Sequence, residues 1–342
     1  MRYWVGGIAA LLAFVPGCTH RLPSATPPPP LTPPLPSYQV QDLGTLGGEN
    51  SYISSINNHG QLVGLHRSPS EQAQPFLWSG GKLTQIAPVG GRSACAVQIN
   101  ESGQVVGTLD PHNAAAGAGN PFAFLWQNGH LTRLDTSTFK PSAGTGINSH
   151  GDIIGQADFG SHHDSGFLWH QGKVTEVLPS SGGGSYVFAL NDAGQIAGSC
   201  GIDAVVWPNG PRNPTVIGVG GSRAINNRGQ VVGSGGSHAF VWQSGRLTAL
   251  ENLSKDGYGV AFGINDAGQI IGLSSPAKTT PPQKYTHAVL WQNGHIYDLN
   301  SVLPPRSTLL LAVATAINNR GQIVCDAIKD GKSHVVILTP TH

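Results

Sequence analysis

The chain is 342 residues long, with 47 glycines, 25 prolines and only 11% charged residues, a profile of short strands and tight turns rather than of helices. Its formal net charge of +1 and its scattered lysines and arginines argue against nucleic acid or an acidic substrate as partner, because phosphate recognition leaves a basic footprint.

The first predicted element is a targeting signal. Arg2 supplies a positive start, and Tyr3 to Val15 form an apolar run of signal-peptide length. The run is too short and too interrupted by glycine to span a bilayer well. It ends in Val15-Pro16-Gly17-Cys18, which resembles a bacterial lipobox: the small residue before Cys18 admits the peptidase, and the thiol takes a diacylglycerol. Residues 1–18 are therefore expected to be a lipoprotein signal peptide, with Cys18 lipidated and holding the protein to a membrane. Thr19 is not the aspartate that retains many lipoproteins at the inner membrane, which directs the expectation to the outer membrane, facing the periplasm or the cell surface. Cleavage by the ordinary signal peptidase, giving a soluble secreted protein, is the alternative. Residues 19–37 follow as a linker, and the proline-rich run Leu22–Pro36 favours an extended polyproline spacer. Beyond Cys18 the remaining cysteines are Cys95, Cys200 and Cys325, an odd number with no zinc-ligand spacing, expected to be small buried hydrophobes.

From residue 38 to 342 one unit recurs seven times: an aliphatic residue, Asn, two variable residues, Gly and a polar residue. Its Asn and Gly pairs are Asn57 and Gly60, Asn100 and Gly103, Asn148 and Gly151, Asn191 and Gly194, Asn226 and Gly229, Asn265 and Gly268, and Asn318 and Gly321. Successive units lie 35 to 53 residues apart, the spacing of four-stranded propeller blades. Asn can bond its own backbone two residues on, and Gly three later takes the left-handed conformation, so each unit reads as a turn joining the first and second strands of a blade. A third strand ends in Trp in six units (Trp78, Trp126, Trp169, Trp207, Trp242 and Trp291), and in each a Gly three residues later marks a second turn before the fourth strand. The seventh unit stops after its third strand, His334–Leu338, while an unassigned strand, Tyr38–Gly44, precedes the first unit. These ends predict an all-β, seven-bladed β-propeller of four antiparallel strands per blade, closed when Gln39–Leu43 pairs with Ser333–Leu338.

Asp42-Leu43-Gly44-Thr45-Leu46-Gly47-Gly48, the Ile-Asn-x-x-Gly-Gln turns and His238-Ala239-Phe240-Val241-Trp242 together resemble the HAF extracellular repeat family. The resemblance spans about Tyr38 to Leu338. It implies an exported protein with a propeller-like repeat fold, and it implies no established activity and no catalytic residues.

Several residue types invite a site. The seven turn asparagines lack the alternating carboxylates of a calcium loop and are read as structural. The tryptophans, one per blade, are read as packing between blades rather than as a sugar platform. His162-His163-Asp164 is dense in possible ligands, yet no metal-ligand spacing occurs, and neither a metal nor a cofactor is expected. His238, His287 and His334 occupy equivalent places and are expected to orient the start of the third strand. No hydrolase, metalloprotease or phosphate-loop motif is present. The connections between second and third strands, and between blades, share one face and vary most in length. Any ligand is expected there, with Asp110, His112, His162, His163, Asp164, Lys284 and Tyr285 as binding candidates. The functional expectation is a monomeric binding or scaffold module for an envelope protein or glycan. The alternative is an enzyme, a lyase or hydrolase, with its site at the mouth of a central channel on that face.

Overall fold

The repeated turns close seven four-stranded antiparallel sheets into a ring, a seven-bladed β-propeller. The computed structural model describes residues 34–48, 50–67, 73–86, 93–110, 120–134, 141–160, 164–180, 183–275 and 286–341. Strand β1 (Tyr38–Asp42) opens the fold. Blade 1 then comprises β2 (Asn50–Ile56), β3 (Leu62–Arg67), β4 (Ala73–Ser79) and β5 (Lys82–Gln85). Blade 2 is β6 (Ser93–Ile99), β7 (Val105–Asp110), β8 (Phe122–Gln127) and β9 (His130–Arg133). Blade 3 is β10 (Ser142–Ile147), β11 (Ile153–Asp158), β12 (Asp164–His170) and β13 (Lys173–Val177). Blade 4 is β14 (Tyr186–Leu190), β15 (Ile196–Cys200), β16 (Asp203–Trp207) and β17 (Thr215–Val219). Blade 5 is β18 (Gly221–Ile225), β19 (Val231–Gly235), β20 (His238–Gln243) and β21 (Arg246–Ala249). Blade 6 is β22 (Gly259–Ile264), β23 (Ile270–Ser274), β24 (His287–Gln292) and β25 (His295–Asp298), followed by a short 3-10 turn, Leu299–Val302. Blade 7 is β26 (Leu309–Ile317), β27 (Ile323–Lys329) and β28 (Lys332–Pro340), completed by β1.

The closing pair runs antiparallel from Tyr38↔Pro340 to Asp42↔Val336, joining the two segments that the sequence pattern pairs and continuing past Leu338 to Pro340. Leu43 N–H then donates to Val335 O at 2.8 Å, and Val335 N–H to Gly44 O at 2.9 Å, extending the seam past the strand end. Closure leaves every blade between two others and removes the open edges that a linear array would present.

The core is distributed over the blade-to-blade seams. One apolar cluster joins Ile271, Leu290 and Leu299 of blade 6 to Leu311, Ile323 and Leu338 of blade 7. Another joins Val324, Val335 and Ile337 of blade 7 to Ile53, Leu62 and Phe76 of blade 1. The strand-ending tryptophans sit in these seams: Trp126, Trp207 and Trp291 are buried. The indole N–H groups of Trp207 and Trp291 donate to Leu178 O (2.8 Å) and Glu251 O (2.7 Å), ahead of their own blades. A large ring that buries its area and satisfies its one donor fits a packing role. Cys200 and Cys325 are buried, Cys95 is half-buried, and all three are free thiols.

Every innermost strand carries a β-bulge at mid-length, seen as register shifts at Ile53/Ser55, Ala96/Gln98, Gly144/Gly146, Val187/Ala189, Ser222/Ala224, Ala261/Gly263 and Ala314/Ala316. Beside it the first strand's carbonyl approaches the second strand so closely that a side chain would collide. A Cβ on Gly64, Gly107, Gly155, Gly198, Gly233 or Gly272 would lie 1.9 to 2.1 Å from that oxygen. Blade 7 has Cys325 at this position, and its innermost strand takes a second register shift, Leu311/Val313, that the other six lack.

Candidate ligand channel

The seven innermost strands enclose a central channel with a volume of about 420 Å³. Its walls follow from the bulges. The extra residue in each first strand is Ser54, Val97, Thr145, Phe188, Arg223, Phe262 or Thr315, and all seven line the channel. Ser54 Oγ donates to Ala96 O of the next blade at 2.8 Å, and Thr145 Oγ1 to Val187 O at 2.9 Å, so these hydroxyls brace neighbouring strands. Gln98 Oε1 accepts from Ile147 N–H at 3.0 Å.

One mouth is built from the Asn-x-x-Gly turns. Each Asn is buried and uses its whole amide. In Asn226, Oδ1 accepts from Arg228 N–H and Gln230 N–H, while Nδ2 donates to Gln230 Oε1 (2.7 Å) and to Asn265 O (3.0 Å). The inter-blade bond repeats from Asn57 to Asn100, Asn148, Asn191, Asn226, Asn265 and Asn318, and Asn318 Nδ2 returns to Asn57 O at 2.9 Å. Gly229 sits at φ +73°, a conformation that only glycine adopts without strain.

The residue after each Asn forms a second circle: Asn58, Glu101, Ser149, Asp192, Asn227, Asp266 and Asn319. Its carboxylates and amides accept backbone N–H groups from the preceding blade, as Asp192 Oδ1 does from Ser149 (2.9 Å) and Asp266 Oδ1 from Asn227 (2.8 Å). Burial works against the Asp192 carboxylate, but hydrogen bonds from Ser149 and Asn227 outweigh it and hold its pKa below the ordinary value. Glu101, Asp192 and Asp266 thus put three carboxylates at this mouth, where the same turns also carry the exposed Arg228 and Arg320.

Inside the channel, three residues before Asn226 and about 10 Å from it along the strand, stands Arg223. Its guanidinium lies 5.2 Å from the centroid of the Phe262 ring, and no carboxylate pairs with it among the described residues. Phe188 occupies the same position in the blade on the other side and is 44% exposed. Two residues nearer the opposite mouth, Tyr52 and Tyr186 are also exposed. The result is an exposed cation over one aromatic ring, with a second aromatic residue at the same register in the blade on its other side.

Of the binding candidates read from the sequence, Asp110 ends β7 opposite Ser93, and Asp164 begins β12 opposite Asp158. Both lie at the loop face, in adjacent blades, and neither lines the channel. His112, His162, His163, Lys284 and Tyr285 lie outside the described residues, as do Cys18 and the linker up to residue 33. Among the described residues no three His, Cys, Asp or Glu side chains are placed to hold a metal ion. His287 Nδ1 meets Asp298 Oδ2 at 2.6 Å and His334 Nδ1 meets Asp42 Oδ1 at 2.8 Å, so these two third-strand histidines pair with the acid of the adjacent fourth strand, whereas His238 Nδ1 meets Ser237 Oγ at 3.0 Å.

Sequence reasoning missed Phe188, Arg223 and Phe262. Their signal was available: aligned three residues before each Asn, the repeats hold Ser, Val, Thr, Phe, Arg, Phe and Thr, a varied position inside an otherwise regular unit.

No family model matches the chain, and no curated protein matches it. Among solved structures it is similar to a puromycin-hydrolyzing peptidase of Mycobacterium tuberculosis, with a TM-score of 0.56 and 10% identity over 90% of this chain and 55% of that one. The chain thus corresponds to little more than half of that peptidase. It is also similar to the β-propeller domain of the Trilobed protease from Pyrococcus furiosus, which has an open velcro topology, with a TM-score of 0.53 and 9% identity over 85% of this chain and 96% of that one. What these share with the chain is the propeller fold.

Proposed function

We propose that the chain is an exported, lipid-anchored binding module that takes its ligand into the central channel. The observation that carries this reading is Arg223, a channel cation without a carboxylate partner among the described residues, set over the Phe262 ring with Phe188 at the same register in the blade on its other side. A buried-walled cavity with a few convergent polar groups and aromatic sides is the usual form of a small-ligand site. The hydrogen-bonded Asn circle supports the same reading, since it holds the channel walls at fixed separation and lowers the ordering cost of binding. The lipobox-like Val15-Pro16-Gly17-Cys18 and the proline-rich spacer support display at a membrane surface, and the repeat motifs support membership of the HAF repeat family. The partner is a glycan or protein of the cell envelope.

The test is to fill the channel. Val97 lines it at the bulge position, and Val97→Trp should abolish capture of envelope components by the full-length protein without lowering its melting temperature. Undiminished capture by a folded Val97→Trp protein would place the ligand elsewhere.

A second reading is favoured by the likeness to two peptidases: the propeller accompanies or performs a hydrolysis. Turnover of puromycin or peptide anilides by the purified full-length chain would support it. A folded preparation that turns over none of them would count against it.

A further inference from the structure

Arg223, Phe188 and Phe262 occupy one register in three successive blades, so their side chains converge at one level of the channel. A guanidinium offers a planar fork of donors that matches a carboxylate, and stacking against Phe262 pre-orients it. The exposed Phe188 ring suits the C–H face of a pyranose. Gln98 also lines this space, and its amide nitrogen is unused among the described residues, leaving a neutral donor for a hydroxyl.

We propose that the channel recognises the hexuronate end of a glycan, with Arg223, oriented by Phe262, gripping the carboxylate and Phe188 receiving the sugar ring; this rests on the channel reading above and names its ligand class. The volume of about 420 Å³ suits a chain end rather than a continuous polymer. Arg223 is the cation among the described channel-lining residues, and it stands at the inner end of a cavity whose lining runs from the bulges to the turn mouth with Glu101, Asp192 and Asp266, so an acidic group is held at the level of Arg223, away from those carboxylates. The net charge of +1 offers no long-range attraction to a polyanion, so recognition is local, one guanidinium to one carboxylate. An extended peptide is disfavoured because the bulge in every innermost strand interrupts the repeating donor and acceptor edge needed for strand addition.

The experiment uses the full-length protein on immobilised oligosaccharides ending in galacturonate or glucuronate, on the same glycans after carboxyl reduction, and on peptides with free C-termini, with calorimetry on what is retained. Uronate ends should be retained, and carboxyl reduction should weaken binding by about tenfold or more. Arg223→Gln should reproduce that loss at unchanged melting temperature, while Phe188→Ala should weaken acidic and reduced glycans alike. Equal binding of reduced glycans, equal binding by Arg223→Gln, or preferential retention of peptide carboxylates would overturn the hexuronate assignment. In each of those cases, capture that is still lost in Val97→Trp leaves the channel reading standing, and capture indifferent to Val97→Trp removes both.

Discussion

His334 Nδ1 lies 2.8 Å from Asp42 Oδ1, joining β28 to β1 across almost the whole described chain. Lys329 Nζ reaches the other oxygen of the same carboxylate at 3.2 Å. Burial disfavours the Asp42 charge, yet the bonds from His334, Gly44 and Lys329 prevail and depress its pKa. The contact ties the closing strand to its blade by side chains as well as by the backbone ladder.

Removal of residues 1–44 should therefore unzip blade 7. The expected result is a lower melting temperature and concentration-dependent aggregation through the uncovered edge of β28. Asp42→Asn should cost only about 1 kcal/mol, because the ladder from Tyr38 to Asp42 remains. Calorimetry and light scattering of both variants check this, and a truncated protein that melts like the parent contradicts the role of β1.

Breaking the Asn circle should be costly wherever it is broken. Asn226→Ala leaves Asn265 O and two turn N–H groups without their partner, a loss of roughly 2–4 kcal/mol. Arg228→Ala, on the same turn but with an exposed side chain, should change stability by no more than about 0.5 kcal/mol. Chemical denaturation of the two variants makes the comparison.

Asp326 supplies a pH dependence. It sits on β27, where blade 7 meets blade 1, accepts a backbone hydrogen bond from Ile53, and has Oδ1 buried without a partner among the described residues. Burial raises its pKa from 3.8 to about 7, against the opposing pull of that hydrogen bond. The folded state thus holds the proton more tightly than the unfolded one. No penalty exists below about pH 4; it grows as the pH rises toward 7 and is complete above, reaching at most ~4 kcal/mol. Asp326→Asn keeps an acceptor for Ile53 and removes the titration. It should be more stable than the parent at pH 8 and no more stable at pH 4, as read from denaturation midpoints at both values.

Cys18 is the proposed acylation site. Cys18→Ser should abolish incorporation of labelled fatty acid and release the protein from membranes. Labelling that persists in the variant assigns the anchor elsewhere.

The propeller was legible because its determinants are local and recur. Asn-x-x-Gly sets a turn through bonds within five residues, Trp followed by Gly marks another, and seven copies at blade spacing leave a ring as the simplest closure. Even the closing strand could be read, since a missing fourth strand and a spare one define each other; the structure adds the residue register and the extension of β28 to Pro340. The channel could not be read in this way. Which residue of each first strand faces the axis depends on a bulge, and the bulge shifts the alternation of side chains that sequence periodicity relies on. Phe188, Arg223 and Phe262 lie 35 to 39 residues apart and meet only after seven blades have closed around them. Sequence alone therefore determined the turns, the blades and the closure of the ring. Only the tertiary structure decided what its centre presents, because a channel is made of contacts between blades, and no single repeat contains one.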